Sequence, residues 1–155
     1  MKIAFLTSGG NAPCLNSSIG RIILNFINSD FDSEFIGYKN GFSGLLRGES
    51  IAIPSRYSDE ELEFYNLLGG SVIGNSRTKL TNIDDCISKG LIKSNEVPLE
   101  VAAKQLIKDK IDILFVIGGD DTNSTAKDLY NYISSSNEKI IIVGIPKTID
   151  NDIYP

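Results

Sequence analysis

At 155 residues the chain is long enough to bury one core and is read as a single domain, and 41% hydrophobic with 23% charged residues excludes wholesale disorder. A net charge of −5 argues against a nucleic-acid or membrane-surface partner, and no apolar run is long enough to span a bilayer. The absence of histidine removes His-dependent triads and His metal sites, while two isolated cysteines, Cys14 and Cys86, support neither a disulfide framework nor a zinc site. Met1-Lys2 leads directly into an apolar run with no secretory leader pattern, so the expected address is cytoplasmic. If an acidic protein is to bind phosphate, its positive charge must be gathered locally, through Arg77, Lys79, Lys147 or a metal.

In chain order, residues 2–6 form an apolar strand, followed by the glycine loop Thr7-Ser8-Gly9-Gly10-Asn11. Leu15, Ile19, Ile22, Ile23, Phe26 and Ile27 then recur at helical spacing. Residues 34–38 predict a second strand. Residues 40–48, with glycines at 41, 44 and 48, predict a loop, and residues 50–53 a short strand ended by Pro54. Ser58 is the expected N-cap of a helix with acids in its first turn. Pro98 opens a helix to Lys110, whose Leu99, Ala102, Ala103, Leu106 and Ile107 form one apolar face. Residues 113–117 are a strand, and Gly118-Gly119-Asp120-Asp121-Thr122 leads into a helix with Ala126, Leu129 and Ile133 on one side. Ser134-Ser135-Ser136-Asn137 turns into the last strand, residues 140–145, which ends in Pro146-Lys147-Thr148-Ile149-Asp150-Asn151-Asp152.

This alternation predicts a three-layer α/β domain, a Rossmann-like, mostly parallel sheet with helices on both faces. The strands at 2–6, 113–117 and 140–143 are expected to be neighbours. The continuous apolar runs at 113–117 and 140–144 are the pattern of central strands covered on both sides. Loops leaving the carboxyl ends of parallel strands share one edge, so segments more than a hundred residues apart meet around one ligand there. Glycines let backbone N–H groups approach an anion, and a helix start adds positive potential. Either glycine loop alone also fits a plain strand-to-helix turn. Asp84-Asp85 reads as a solvated turn or helix start.

Three glycine-rich or acid-rich loops at strand ends, together with Gly69-Gly70-Ser71-Val72-Ile73-Gly74-Asn75-Ser76-Arg77, resemble the phosphofructokinase family from Met1 to the last residue. Thr148-Ile149-Asp150-Asn151-Asp152 is the most specific of these motifs. The resemblance implies phosphoryl transfer to the 1-hydroxyl of fructose 6-phosphate, with Mg²⁺ as cofactor. It implies Asp150 as the base, with Lys147 and Arg77 also catalytic, and Thr148, Asp150 and Asp152 on the sugar. Gly10, Arg77, Asp121, Thr122 and Lys147 would contact the donor phosphates, and Asp120 would hold Mg²⁺.

Two positions bear on the donor. ATP-dependent members usually carry glycine after Gly-Gly-Asp, where this chain has Asp121, and glycine before the Thr of the last motif, where it has Lys147. A carboxylate at 121 would occupy and repel the α-phosphate of ATP, and Lys147 suits a compact anionic donor. The pair resembles the pyrophosphate-dependent branch. The alternatives are an ATP-using relative, and a non-catalytic half that binds phosphate or assembles with a partner; as bland readings, Lys147 is a solvated loop lysine and Asp121 a helix N-cap.

Asn11 stands where the family usually has Asp, and Cys14 where it has Gly, at a turn expected to favour positive φ; Cys14 is expected to be buried. The family's Met-Gly-Arg motif has no counterpart before Pro155. The expectation is an amino-terminal part, residues 1–155, of a longer homo-oligomeric enzyme, inactive without the remaining sugar-phosphate contacts.

Overall fold

The computed structural model describes residues 1–29, 31–54, 57–136, 138–150 and 152. Asn137 of the serine-rich turn, Asn151 of the final motif and Pro155 lie outside them. Five strands form one sheet in the order β3-β2-β1-β4-β5: β1 (Lys2–Ser8), β2 (Glu34–Tyr38), β3 (Ser50–Ile53), β4 (Ile113–Gly118) and β5 (Ile141–Pro146). All pairings are parallel except β2 with β3. Ser8 aligns with Gly118 and Gly118 with Pro146, so the loops leaving β1, β4 and β5 start level with one another. The three expected neighbours are neighbours, and the mostly parallel α/β sheet is present.

Successive side chains on a strand point to opposite faces, and β1 divides its residues accordingly. Ala4 and Leu6 pack with Leu45, Leu106 and Leu129 on one face, beneath α2 (Phe42–Arg47), α5 (Pro98–Lys108) and α6 (Asp120–Ser134). Ile3 and Phe5 pack on the other with Leu15, Ile19 and Ile23 of α1 (Cys14–Ile27), which α3 (Asp59–Leu67) joins. Phe5 also stacks on Phe115 with ring centroids 5.5 Å apart. At roughly 1.5–3 kcal/mol per fully buried large apolar side chain, these two layers supply the main favourable contribution to folding.

Ser58 caps α3 as expected. Its Oγ accepts from the Glu61 N–H at 3.2 Å, while the Ser58 N–H donates to Glu61 Oε2 at 2.8 Å, a reciprocal capping box. Asp84 and Asp85 lie in the first turn of α4 (Ile83–Ser88), a helix start at the surface, where Asp85 pairs with Lys89 at 2.7 Å.

Three expectations need correction. Residues 40–48 are not all loop: Phe42–Arg47 is helical, with glycines at φ +64° and +67° as its two caps. Glycine punctuated both ends of a helix too short to show a period, while Phe42, Leu45 and Leu46 drove it into the core. The helix opened by Pro98 stops at Lys108 rather than Lys110. Lys110 turns left-handed (φ +57°), and the N–H groups of Lys110 and Ile111 donate back to the carbonyls of Ile107 and Leu106, a Schellman closure. Finally, β4 is a covered central strand but β5 is not: it forms an edge of the described sheet, and Ile141 is 58% exposed.

Candidate functional site

Loop geometry at the carboxyl edge is fixed by close backbone approaches. Gly9 has φ +93°, a conformation costly for any other residue, and its N–H donates to the Ser76 carbonyl at 2.8 Å. A Cβ on Gly118 would collide with the Ser8 carbonyl and come within 2.6 Å of Thr122 Cβ, so the β4–α6 turn needs glycine on steric grounds. Asn123 Nδ2 donates to the Gly118 and Gly119 carbonyls at 2.8 and 3.1 Å, locking that turn.

The segment after α3 closes over β1. Asn16 Nδ2 donates to the Leu68 carbonyl at 2.9 Å, and Asn16 Oδ1 accepts from the Val72 N–H at 2.7 Å. Thr7 Oγ1 donates to the Gly74 carbonyl at 2.7 Å, Ser8 Oγ to the Ser76 carbonyl at 2.9 Å, and Asn75 Nδ2 to the Gly9 carbonyl. Ser76 forms a parallel bridge with Ser8. Thr78 and Leu80 are buried at 4% and 1% exposure while Arg77 and Lys79 face outward, the alternation of a strand with one covered face.

Those elements line an open cavity of about 570 Å³, with residues of the β1 loop (Gly9, Gly10), the segment after Ser76 (Arg77, Lys79) and the start of α6 (Asp120, Asp121, Thr122). Gly10, Arg77, Asp120, Asp121 and Thr122, singled out from widely separated stretches of sequence, therefore share one wall-to-wall space. Lys79 Nζ and Asp121 Oδ2, both on its wall, form an ion pair at 2.7 Å. Asp121 does not cap α6, whose N-cap is Gly119. No ion pair to Arg77 is present among the described residues.

Lys147 is not a solvated loop lysine. It is 8% exposed, its N–H donates to the Gly118 carbonyl at 2.8 Å, and its ammonium lies 3.5 Å from where a Cβ on Gly10 would sit. The final motif thus touches the first glycine loop. Beyond it, Thr148 Oγ1 donates to Asp152 Oδ1 at 2.6 Å and accepts from the Asp150 N–H at 3.2 Å. Asp150 and Asp152 are exposed, and with Thr148 they lie outside the cavity lining.

Cys14 corrects another expectation. It is exposed and is the first residue of α1, and it is not among the non-glycine residues with positive φ, so no glycine is needed there. Cys86 is buried, and burial pushes its thiol pKa up, leaving it a packing residue. Sequence reasoning gave no role to the anchors Asn16, Asn75 and Asn123, because their partners are backbone groups distant in the chain or hidden in a turn. Lys79 was named only as one source of positive charge; its spacing of two from Arg77 was the signal that both share a face.

A possible Mg²⁺ ligand set is small. Among the described residues no three carboxylates or thiols converge as a ligand cage. Asp120 is exposed into the cavity, whereas Asp121 is engaged by Lys79. One free carboxylate fits Mg²⁺, which keeps several waters and takes phosphate oxygens as further ligands. No described helix is long and apolar enough to cross a membrane.

The phosphofructokinase family profile matches residues 2–155. A pyrophosphate–fructose 6-phosphate 1-phosphotransferase of Methylomonas methanica is 48% identical over 154 residues, covering 99% of this chain and 37% of the relative. An ATP-dependent 6-phosphofructokinase of Corynebacterium efficiens is 35% identical over 153 residues, covering 99% of this chain and 38% of the relative. In three dimensions, a pyrophosphate-dependent phosphofructokinase of Marinobacter aquaeolei superposes with a TM-score of 0.74 at 22% identity, over 97% of this chain and 34% of that one. The chain therefore spans little more than a third of the length of these relatives.

Proposed function

The chain belongs to the phosphofructokinase family, and from that premise we propose that it is the donor-binding and catalytic part, residues 1–155, of a pyrophosphate-dependent fructose-6-phosphate 1-phosphotransferase. One observation carries the choice of donor: Asp121 lies on the cavity wall and Lys147, outside the lining, is buried with its ammonium beside Gly10, and these are the two positions at which the resemblance gives glycine in ATP-dependent members. The 48% identity to a relative named for pyrophosphate, against 35% to one named for ATP, supports the same choice.

In this reading pyrophosphate lies in the cavity, against the backbone of Gly10 and near Thr122, with its charge met by Arg77 and the Lys147 ammonium. Phosphoryl transfer needs little covalent help from the protein; it depends on positioning and on neutralising the spreading charge. Asp120 would hold Mg²⁺ together with water and donor oxygens. When bound, that ion screens the phosphate charge.

Asp150 accepts the proton of the sugar 1-hydroxyl as its oxygen attacks the nearer phosphorus. The bond from that phosphorus to the bridging oxygen breaks, and orthophosphate leaves. Thr148 and Asp152 hold the turn that carries Asp150, through the hydroxyl that donates to one and accepts from the backbone of the other. Asp152 and Thr148 also face the sugar in this assignment. The remaining sugar-phosphate contacts belong to the part of the relatives that this chain does not match.

The test is turnover by the chain fused to the remaining length of its Methylomonas relative, assayed with pyrophosphate and with ATP. Pyrophosphate-dependent formation of fructose 1,6-bisphosphate by the hybrid, and little or none by the 155-residue chain alone, is the expected result. Turnover with ATP only would establish the nucleotide-using alternative. Pyrophosphate binding without turnover in the hybrid would favour a non-catalytic half.

A further inference from the structure

Lys79 belongs to no motif assigned above, yet its ammonium lies on the cavity wall, 2.7 Å from Asp121 Oδ2. Both ends of this contact are held by backbone. On one side, Ser76 is bridged to Ser8, Thr78 and Leu80 are buried, and the Lys79 carbonyl accepts from the Asn82 N–H at 3.2 Å. On the other, Asp121 sits in the first turn of α6, where its carbonyl accepts from Thr125 Oγ1 at 2.8 Å. The two side chains are 46% and 76% exposed, so the pair adds little to folding stability. Its consequence lies in the cavity.

A carboxylate alone on that wall repels every phosphate donor, pyrophosphate included, because both are polyanions. Paired with an ammonium, it contributes almost no net charge while still filling space. We propose that Lys79 is a specificity-determining residue, a clasp that neutralises Asp121 and holds its carboxylate in place on the cavity wall. A compact diphosphate is then admitted and a longer polyphosphate chain is blocked sterically. This rests on the pyrophosphate reading above. Arg77, two residues earlier on the same outward face, is left to meet the donor itself.

Equilibrium binding of pyrophosphate and of ATP to this chain, by titration calorimetry, separates the two ideas. Lys79→Met should weaken pyrophosphate about tenfold without gaining ATP, because it uncovers the Asp121 charge. Lys79→Arg should restore most of that loss. Asp121→Asn should leave ATP weak, because the amide still fills the space, and should tighten pyrophosphate by about tenfold, because it frees the Lys79 ammonium. In the double variant the two effects should fail to add, since each residue acts through the other. Thermal unfolding midpoints should stay close to that of the unsubstituted chain, which separates a binding loss from misfolding. Affinities for both donors that stay within about twofold in Lys79→Met, or strict additivity in the double variant, overturn the clasp and leave the pyrophosphate reading standing. No pyrophosphate binding by the unsubstituted chain sinks both.

Discussion

The cavity beside Gly10 and the loop carrying Asp150 are built in different ways, although both lie at the same edge of the sheet. The cavity is assembled from three distant stretches and linked across them, Ser8 to Ser76, Asn75 to Gly9 and Lys79 to Asp121, while Asn123 locks the turn at Gly118. The loop after β5 is organised beyond Lys147 by its own Thr148, Asp150 and Asp152, and its carboxylates are exposed. One region is hydrogen-bonded between distant stretches, whereas beyond Lys147 the hydrogen bonds of the other are its own. Under the proposed function, where positioning governs the reaction, the expectation is that these residues bind a donor without holding an acceptor against it.

The contrast is tested most severely at Asp150. In the hybrid, Asp150→Ser should lower kcat by about 10²–10⁴-fold, the usual worth of a general base, while the KM for pyrophosphate moves little. A near-normal kcat would remove Asp150 from the chemistry. A large rise in pyrophosphate KM would show that the two regions are not separable.

Donor choice comes next in size. Asp121→Gly with Lys147→Gly in the hybrid should shift the ratio of ATP to pyrophosphate use by at least about tenfold, since a contact to a charged group is involved at each position. An unchanged ratio would refute the account of specificity.

Two glycines sharpen the distinction between holding the cavity and using it. Gly118→Ala should destabilise the fold by about 1–3 kcal/mol in urea unfolding, because its Cβ meets the Ser8 carbonyl and Thr122. Gly10→Ala should leave the unfolding midpoint nearly unchanged, since its Cβ finds ordinary contacts at 3.4 and 3.5 Å, yet weaken pyrophosphate binding by covering the backbone and the Lys147 ammonium. Equal stability losses in the two variants would erase that distinction.

The smallest effect lies far from the cavity. Tyr38 is fully buried and its hydroxyl donates to Asp109 Oδ2 at 2.7 Å; burial first, then the Asp109 hydrogen bond and charge, raise its pKa well above the ordinary value of 10.0. The folded protein therefore keeps a proton that the unfolded chain loses. The stability this provides is fully present below about pH 10 and declines as pH rises above it. Tyr38→Phe should flatten that alkaline decline in denaturant midpoints measured from pH 9 to pH 11, leaving pyrophosphate binding at neutral pH unaltered. A decline of the same steepness would place its origin in other groups.

The local rules carried much of this molecule. Periodicity and the glycine loops after apolar runs gave β1, β4 and β5 as neighbouring parallel strands and Gly10 and Asp120 at one edge, and Ser58 marked a helix start, because each depends on residues a few positions away; Arg77 was marked only by the resemblance of residues 69–77 to the family. What they could not decide depended on what lies across the fold. The apolar runs of β4 and β5 look alike in sequence, but only coverage by other elements makes one central and the other an edge. Cys14, expected to be buried, is exposed, and Lys147, for which a solvated loop position was the bland alternative, is buried, since burial is a property of the neighbours rather than of the residue. The pairing of Lys79 with Asp121 joins positions forty-two apart in sequence. Their chemistry was legible from the start, but only the sheet and the braced segment above it brought the ammonium to the carboxylate.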